Sequence, residues 1–207
     1  MELPRYTGWN HFLKRAFDVV FSSLALVCLA PLLFAVAVAI WLDDGGPIMF
    51  KQKRIGLRGE SFTIHKFRTM VVDAESKVDR MIEDAGGRAL LFKVEDDPRV
   101  TRLGSVLRRY SLDELPQFWT ALRGDMSVVG PRPQVAREVA EYSSDAHRRL
   151  LTKPGITGLW QVSGRSDLSV EESIALDLWY VENWSLTGDL AIILKTLKVV
   201  LRRHGAY

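Results

Sequence analysis

From Val19 to Leu42 the chain carries no charged side chain, and Pro31 stands near the middle of that run. About 20 apolar residues suffice to cross a bilayer, so the run is long enough to span one. Proline has no N–H to give, and its ring presses on the preceding turn, so a helix here is expected to kink or break between Ala30 and Leu32. Lys14 and Arg15 precede the run, whereas Lys51, Lys53, Arg54 and Arg58 follow it. Cations mark the cytoplasmic side, and here they mark both flanks. A bent, re-entrant helix that enters and leaves by one leaflet meets that condition, with a straight span as the alternative. A signal peptide would be shorter and would need a cleavage site that Trp41-Leu42-Asp43-Asp44 does not offer. A buried core helix rarely runs this long without a polar face.

The chain has 207 residues, enough for such an anchor and one cored domain. Its 28 Lys and Arg exceed its 25 Asp and Glu, giving +3 at pH 7 and suiting anionic surfaces without choosing one. A single cysteine, Cys28, lies inside the apolar run, which excludes an internal disulfide and reads as a small buried hydrophobe. The organisation expected is an N-terminal arm over 1–13, a membrane helix over 14–44 and a membrane-associated catalytic domain over 45–207. There is no repeat and no low-complexity tract.

After the turn cluster Asp43 to Pro47, Ile48 to Phe50 and Ser61 to His65 read as strands of a small hairpin around Arg58-Gly59. Asp73 to Ala85 reads as an exposed helix, and Leu103 to Arg109, Leu115 to Leu122 and Gln134 to Leu150 are further helical stretches. From Asp189 to Arg203, Leu190, Ile193, Leu194, Leu197, Val200 and Leu201 recur at helical spacing beside Lys195, Lys198, Arg202 and Arg203. That pattern suits a helix lying on an anionic bilayer, with Trp179, Tyr180 and Trp184 as headgroup-zone aromatics. A core-facing helix explains the same spacing. The fold class expected is α+β, mainly helical, with the broken membrane helix, the hairpin and amphipathic interfacial helices around the active site.

The candidate chemistry sits in Ser111-Leu112-Asp113-Glu114-Leu115-Pro116-Gln117. Adjacent carboxylates on a helix diverge by about 100° and can take different roles at one site. Ser111 and Glu114 also match a capping box, in which Glu114 would only close a helix start. Function is favoured by the surrounding arginines: Arg108 and Arg109 precede the pair, and Arg132 follows in Gly130-Pro131-Arg132-Pro133. Arginine's planar fork grips phosphate bidentately, and the two prolines would restrain the backbone presenting it. A solvated turn accounts for the same glycine and prolines.

Taken together, Lys66-Phe67-Arg68-Thr69-Met70, Ser111 to Gln117, Gly124-Asp125-Met126-Ser127, Gly130 to Pro133 and Lys153-Pro154-Gly155-Ile156-Thr157-Gly158 closely resemble the bacterial monotopic phosphoglycosyl transferases. The resemblance runs from Lys14 to the C-terminus. It implies transfer of a sugar 1-phosphate from a UDP-sugar to undecaprenyl phosphate, with release of UMP, at the start of exopolysaccharide or O-antigen assembly. Asp113 matches the family's nucleophile, which forms a covalent phosphosugar intermediate, and Glu114 its acidic partner. Mg2+ is implied at Asp113 and Glu114, a hard ion for carboxylate and diphosphate oxygens. Arg108 and Arg132 match phosphate-contacting positions, and Lys66 a basic residue of the site. Gln161, Gly164 and Arg165 are assigned to the nucleotide-sugar side.

The resemblance also implies a re-entrant helix broken at Pro31, seated in phospholipid at the bacterial inner membrane with the catalytic domain on the cytoplasmic face. Ala30 stands where several relatives carry serine, so no hydroxyl is offered to the bend. The multi-span bundle of larger members is absent from this sequence, which points to a minimal catalytic form or a catalytic fragment. Arg203-His204-Gly205-Ala206-Tyr207 resembles the hexose 1-phosphate members and favours UDP-glucose or UDP-galactose over UDP-N-acetylhexosamines. Oligomeric state is open, a homo-oligomer included. His11, His65, His147 and His204 lack zinc spacing, and no phosphate loop or dinucleotide fingerprint is present. Dispersed basic residues with no reading module exclude a nucleic-acid partner. The rival from another class is a noncatalytic scaffold that binds anionic lipids; it leaves the acidic pair among arginines unexplained.

Overall fold

The structure, a computed structural model, describes residues 8–72, 74, 97–164 and 168–202. The helix expected over 73–85 falls outside them except at Ala74, as do Arg165 and the Arg203–Tyr207 tail. The chain is mainly helical. Helix α1 is Trp9–Asp44, followed by the antiparallel hairpin β1 (Met49–Ile55) and β2 (Ser61–Phe67). Then come α2 (Arg102–Arg109), α3 (Gln117–Arg123), β3 (Ser127–Val129) and α4 (Ala136–Ala140). The chain closes with β4 (Gly155–Thr157), α5 (Leu159–Ser163), α6 (Val170–Glu182) and α7 (Leu186–Arg202).

Helix α1 begins at Trp9 rather than Lys14, its first turn closed by the stacked rings of Trp9 and Phe12, 5.3 Å apart. It continues through Pro31 as one helix of 36 residues. Proline removes one backbone hydrogen bond at a cost of about 3 kcal/mol, and the Leu- and Ala-rich turns on either side sustain the helix across that gap. Helix α1 is long and apolar enough to cross a membrane. At 1.5 Å per residue it would reach about 54 Å if straight, well beyond a hydrocarbon core.

Both ends of α1 dock on the same body. Near its start, Phe17 and Phe21 pack against the core of Val128, Val129, Tyr180, Trp184 and Ile192. Near its end, Val36 and Ile40 join Phe67 and Leu107 in a second core. Between them Leu24, Val27 and Phe34 are exposed, a large apolar surface that water does not favour.

A buried polar network fixes the first contact. Lys14 Nζ donates to Asp189 Oδ2 at 2.6 Å and to the Val129 carbonyl at 3.1 Å. One helical turn on, Asp18 Oδ1 accepts from Ser127 Oγ at 2.9 Å and from the Val128 amide at 3.0 Å. Trp184 Nε1 donates to Asp189 Oδ2 at 3.1 Å, and the Tyr180 hydroxyl lies between Asp189 Oδ1 and the Val129 carbonyl, its one proton serving either. Helix α1, β3, α6 and α7 are thereby joined through charged groups with almost no access to water.

Strands β3 and β4 pair in parallel, a sheet absent from the sequence expectations. Three-residue strands show no period. Their contact is close because both partners are glycine next to it: a Cβ on Gly155 would stand 2.0 Å from the Gly130 nitrogen. The stretch 134–150 is not one helix but α4 and a 3-10 turn at Ala146–Leu151.

Lys14→Met should destabilise the protein by about 3–5 kcal/mol, because it strands Asp189 as a buried unpaired charge. Unfolding followed in detergent by tryptophan fluorescence measures this; a loss below about 1 kcal/mol, the ordinary worth of a surface pair, would show that the network does not hold α1.

Candidate active site

The acidic pair sits on a 3-10 turn, Leu112–Glu114, where α2 meets α3. Ser111 before it adopts left-handed backbone, φ 53°, which costs a non-glycine residue about 1–2 kcal/mol. Its side chain makes no capping bond, so the capping-box explanation of Ser111 and Glu114 fails. Glu114 points elsewhere: its Oε1 accepts from Lys66 Nζ at 2.6 Å and faces an Arg132 terminal nitrogen at 3.5 Å.

Each partner is delivered by a separate element. Lys66 is carried by β2, on the hairpin face shared with Gln52 and Arg54, since the register sets Phe50 opposite Lys66 and Phe62 opposite Arg54. Arg108 lies in the last turn of α2 and donates through Nε to Thr69 Oγ1 at 2.9 Å. That contact depends on close packing, because a Cβ on Gly104 would stand 2.0 Å from the Thr69 carbonyl. Arg132 is presented between two buried prolines, Pro131 and Pro133, with a third of its own side chain exposed, 32 %.

Asp113 differs from its neighbour. It is 8 % exposed, and its carboxylate takes no hydrogen bond or ion pair from a described residue. Burial pushes its carboxyl up to about 6, Glu114 adding to the effect, while Lys66, Arg108 and Arg132 pull the other way. Burial would raise Glu114 too, but Lys66 and Arg132 outweigh it and hold that carboxyl down at about 2. The pair is thus split by environment: one carboxylate is consumed by cations, and the other is left basic and without a bond from any described residue. A carboxylate of raised basicity that stays ionised at neutral pH is suited to nucleophilic attack.

The pair fits magnesium as well. That ion keeps several waters and takes one or two protein carboxylates together with substrate phosphates. Among the described residues no third acidic, histidine or cysteine side chain joins the two, so water and a diphosphate would have to complete its shell.

Of the residues expected at the site, the structure brings Lys66, Glu114 and Arg132 into direct contact, while Lys66, Arg108 and Arg132 act on the neighbouring Asp113 through their charge. Gln161 donates to the Ile156 carbonyl at 3.5 Å and Gly164 ends α5 against Leu168; among the described residues neither bonds to the acidic pair. The sequence reading missed Arg54 and Thr69. Alternation along β1 would have put Arg54 on the face of Lys66, had the hairpin register been known. Burial, with Arg132 beside it, pushes Arg54 down to about 10 against the pull of Glu138 and Glu114.

With the geometry in place, the comparisons with known proteins decide the family. The model of the family described as "Bacterial sugar transferase" matches residues 9–203. The chain belongs to the bacterial sugar transferases. Undecaprenyl-phosphate galactose phosphotransferase of Salmonella typhimurium is 45 % identical over 96 % of this chain and 42 % of its own length. Undecaprenyl-phosphate glucose phosphotransferase of Komagataeibacter xylinus is 41 % identical over 96 % of this chain and 38 % of its own. The exopolysaccharide production protein ExoY of Sinorhizobium fredii is 44 % identical over 94 % of this chain and 88 % of its own. This family member therefore spans about two fifths of the first of these and most of the last.

In chelator-treated protein, carbon-13 NMR of the carboxyl groups should show Asp113 titrating near pH 6, neutral below and charged above. Lys66→Met should raise that midpoint further, because the strongest cation opposing protonation is gone. A midpoint at the unperturbed aspartate value of about 3.9 would refute burial as the governing influence.

Proposed function

We propose that this family member transfers a sugar 1-phosphate from a UDP-sugar to undecaprenyl phosphate, releasing UMP, through a covalent intermediate on Asp113. The observation that carries the reading is the buried Asp113 carboxylate, bonded to no described residue, within the field of three cations, two of which already neutralise Glu114. In the first step an Asp113 oxygen attacks the phosphorus that bears the sugar; a bond to the carboxylate forms, the diphosphate bridge breaks, and UMP leaves with the electron pair. In the second, a phosphate oxygen of the lipid attacks the same phosphorus and Asp113 departs as carboxylate. Arg108 and Arg132 offset charge on the phosphoryl oxygens, where such transfers most need it. Magnesium, when bound at the pair, would add further neutralisation of the diphosphate. UDP-galactose or UDP-glucose is favoured, in keeping with the names of the relatives.

The setting is a monotopic one on the cytoplasmic face of the inner membrane. Both ends of α1 pack on one folded body, so a helix that carried them to opposite faces would have to tear one contact apart. Helix α7 adds an exposed apolar stripe of Leu190, Leu194, Leu197 and Leu201 beside Lys195 and Lys198, suited to the headgroup zone.

Asp113→Asn should lower UMP release by at least about a thousandfold with membrane association unchanged, as removal of a covalent nucleophile does. Release at the wild-type rate would dismiss Asp113 as the nucleophile. For topology, with Cys28 replaced by serine, cysteines placed singly at Asn10 and Lys51 should both resist an impermeant periplasmic reagent in intact cells; labelling of either one alone would establish a span.

A further inference from the structure

The loop that presents Arg132 rests on two other arginines. Arg54 donates through one terminal nitrogen to the Pro133 carbonyl at 3.2 Å, and through the other to Gln52 Oε1 at 2.6 Å. Glu138, from the start of α4, lies 3.7 Å from the same guanidinium. On the other side, Arg149 faces the Arg132 carbonyl at 3.5 Å while its fork is gripped by Asp177, Gln134 and Tyr142. Arg149 is 4 % exposed and Asp177 1 %. A third tie, the Ile55 amide donating to the Gln134 carbonyl at 2.8 Å, closes the end of the loop against β1.

We infer that Arg54 and Arg149 are positioning residues of the transferase site: buried braces that hold the backbone of Arg132 so that its exposed fork meets the donor's phosphate at a fixed place. The division of labour follows from what each guanidinium already touches. Arg149 is spent on protein groups, with almost no surface left for a ligand. Arg54 is largely spent, sharing its terminal nitrogens between a carbonyl and a glutamine. Among the described residues Arg132 makes through its side chain only a long contact to Glu114, which leaves its fork for substrate. Loop carbonyls held by charged donors in a dry setting are held firmly, because leaving such donors unpaired there is costly. Lysine cannot replace either brace, since a single ammonium lacks the planar fork that reaches two acceptors at once. Small displacements of such a group matter, because about 1 Å of misplacement can cost a hundredfold in rate.

This inference rests on the phosphate role given above to Arg132, and a double-mutant cycle on UMP release tests it. The assay uses UDP-galactose and UDP-glucose with undecaprenyl phosphate and magnesium. Arg54→Gln should lower kcat/KM about tenfold or more in the wild-type background, but less than about twofold where Arg132 is already alanine, because a brace acts only through what it holds. Arg54→Lys should fall close to Arg54→Gln. Equal losses in both backgrounds, or no loss in either, would overturn the brace. Arg149→Lys gives the same cycle from the other side should Arg54→Gln not fold.

If wild type turns over neither sugar, it is the proposed function that fails, and hydrogen exchange then decides the brace. In Arg54→Gln the Ile55 amide should exchange about tenfold faster, while the Gly130 amide, bonded to the Thr157 carbonyl in the sheet, keeps its rate. An unchanged Ile55 rate would overturn the inference.

Discussion

The ion pair of Lys14 with Asp189, and the hydrogen bonds that Asp18 takes one turn later, decide where everything else can stand. A helix as apolar as α1 has no specific reason to lie on one part of a domain, since greasy contacts are non-directional. Buried charge supplies the direction. Lys14 finds a carboxylate and a backbone carbonyl only in one place, and Asp18 finds Ser127 and Val128 only in the adjoining one. The same groups define β3, whose pairing with β4 brings Gly130 against Gly155 and so places the loop that carries Arg132. Helix α1 and the loop that carries Arg132 are therefore linked by one buried network.

The site itself depends on unequal treatment of two neighbouring carboxylates. Were the cations spread evenly, Asp113 and Glu114 would be equally neutralised and equally poor nucleophiles. Instead Glu114 takes the Lys66 ammonium at 2.6 Å, and Asp113 keeps its lone pairs in a dry place. The arginines are sorted in the same way. Arg149 is enclosed and bound to protein, whereas Arg132, held between two prolines, faces outward. Residues of one chemical type thus serve as framework or as working group according to what surrounds them.

Much of this was legible in the chain. The hairpin and the helices at 102–109, 117–123 and 186–202 follow from turn residues and period, and the contact of Lys66 and Arg132 with Glu114 agrees with the grouping that the family resemblance implied. What failed to show had a physical cause. Strands of three residues have no period to read, and the stretch 134–150 contains helix formers that tertiary bonds to Arg149 divide. Pro31 signalled a kink or break, and the helix runs on through it. Ser111 and Glu114 matched a cap by spacing, yet left-handed backbone at Ser111 and the pull of Lys66 sent both side chains elsewhere.

By itself the sequence determined an uncharged helix-forming run flanked by cations, a hairpin, and an acidic pair among arginines, because period, turn chemistry and charge are properties of neighbours along the chain. Only the tertiary structure decided that both ends of the run dock on one body, that Asp113 is the carboxylate without a bond from any described residue, and that Arg54 and Arg149 lie behind Arg132. Those outcomes depend on which groups from distant segments exclude water from one another, and desolvation has no signature in local sequence.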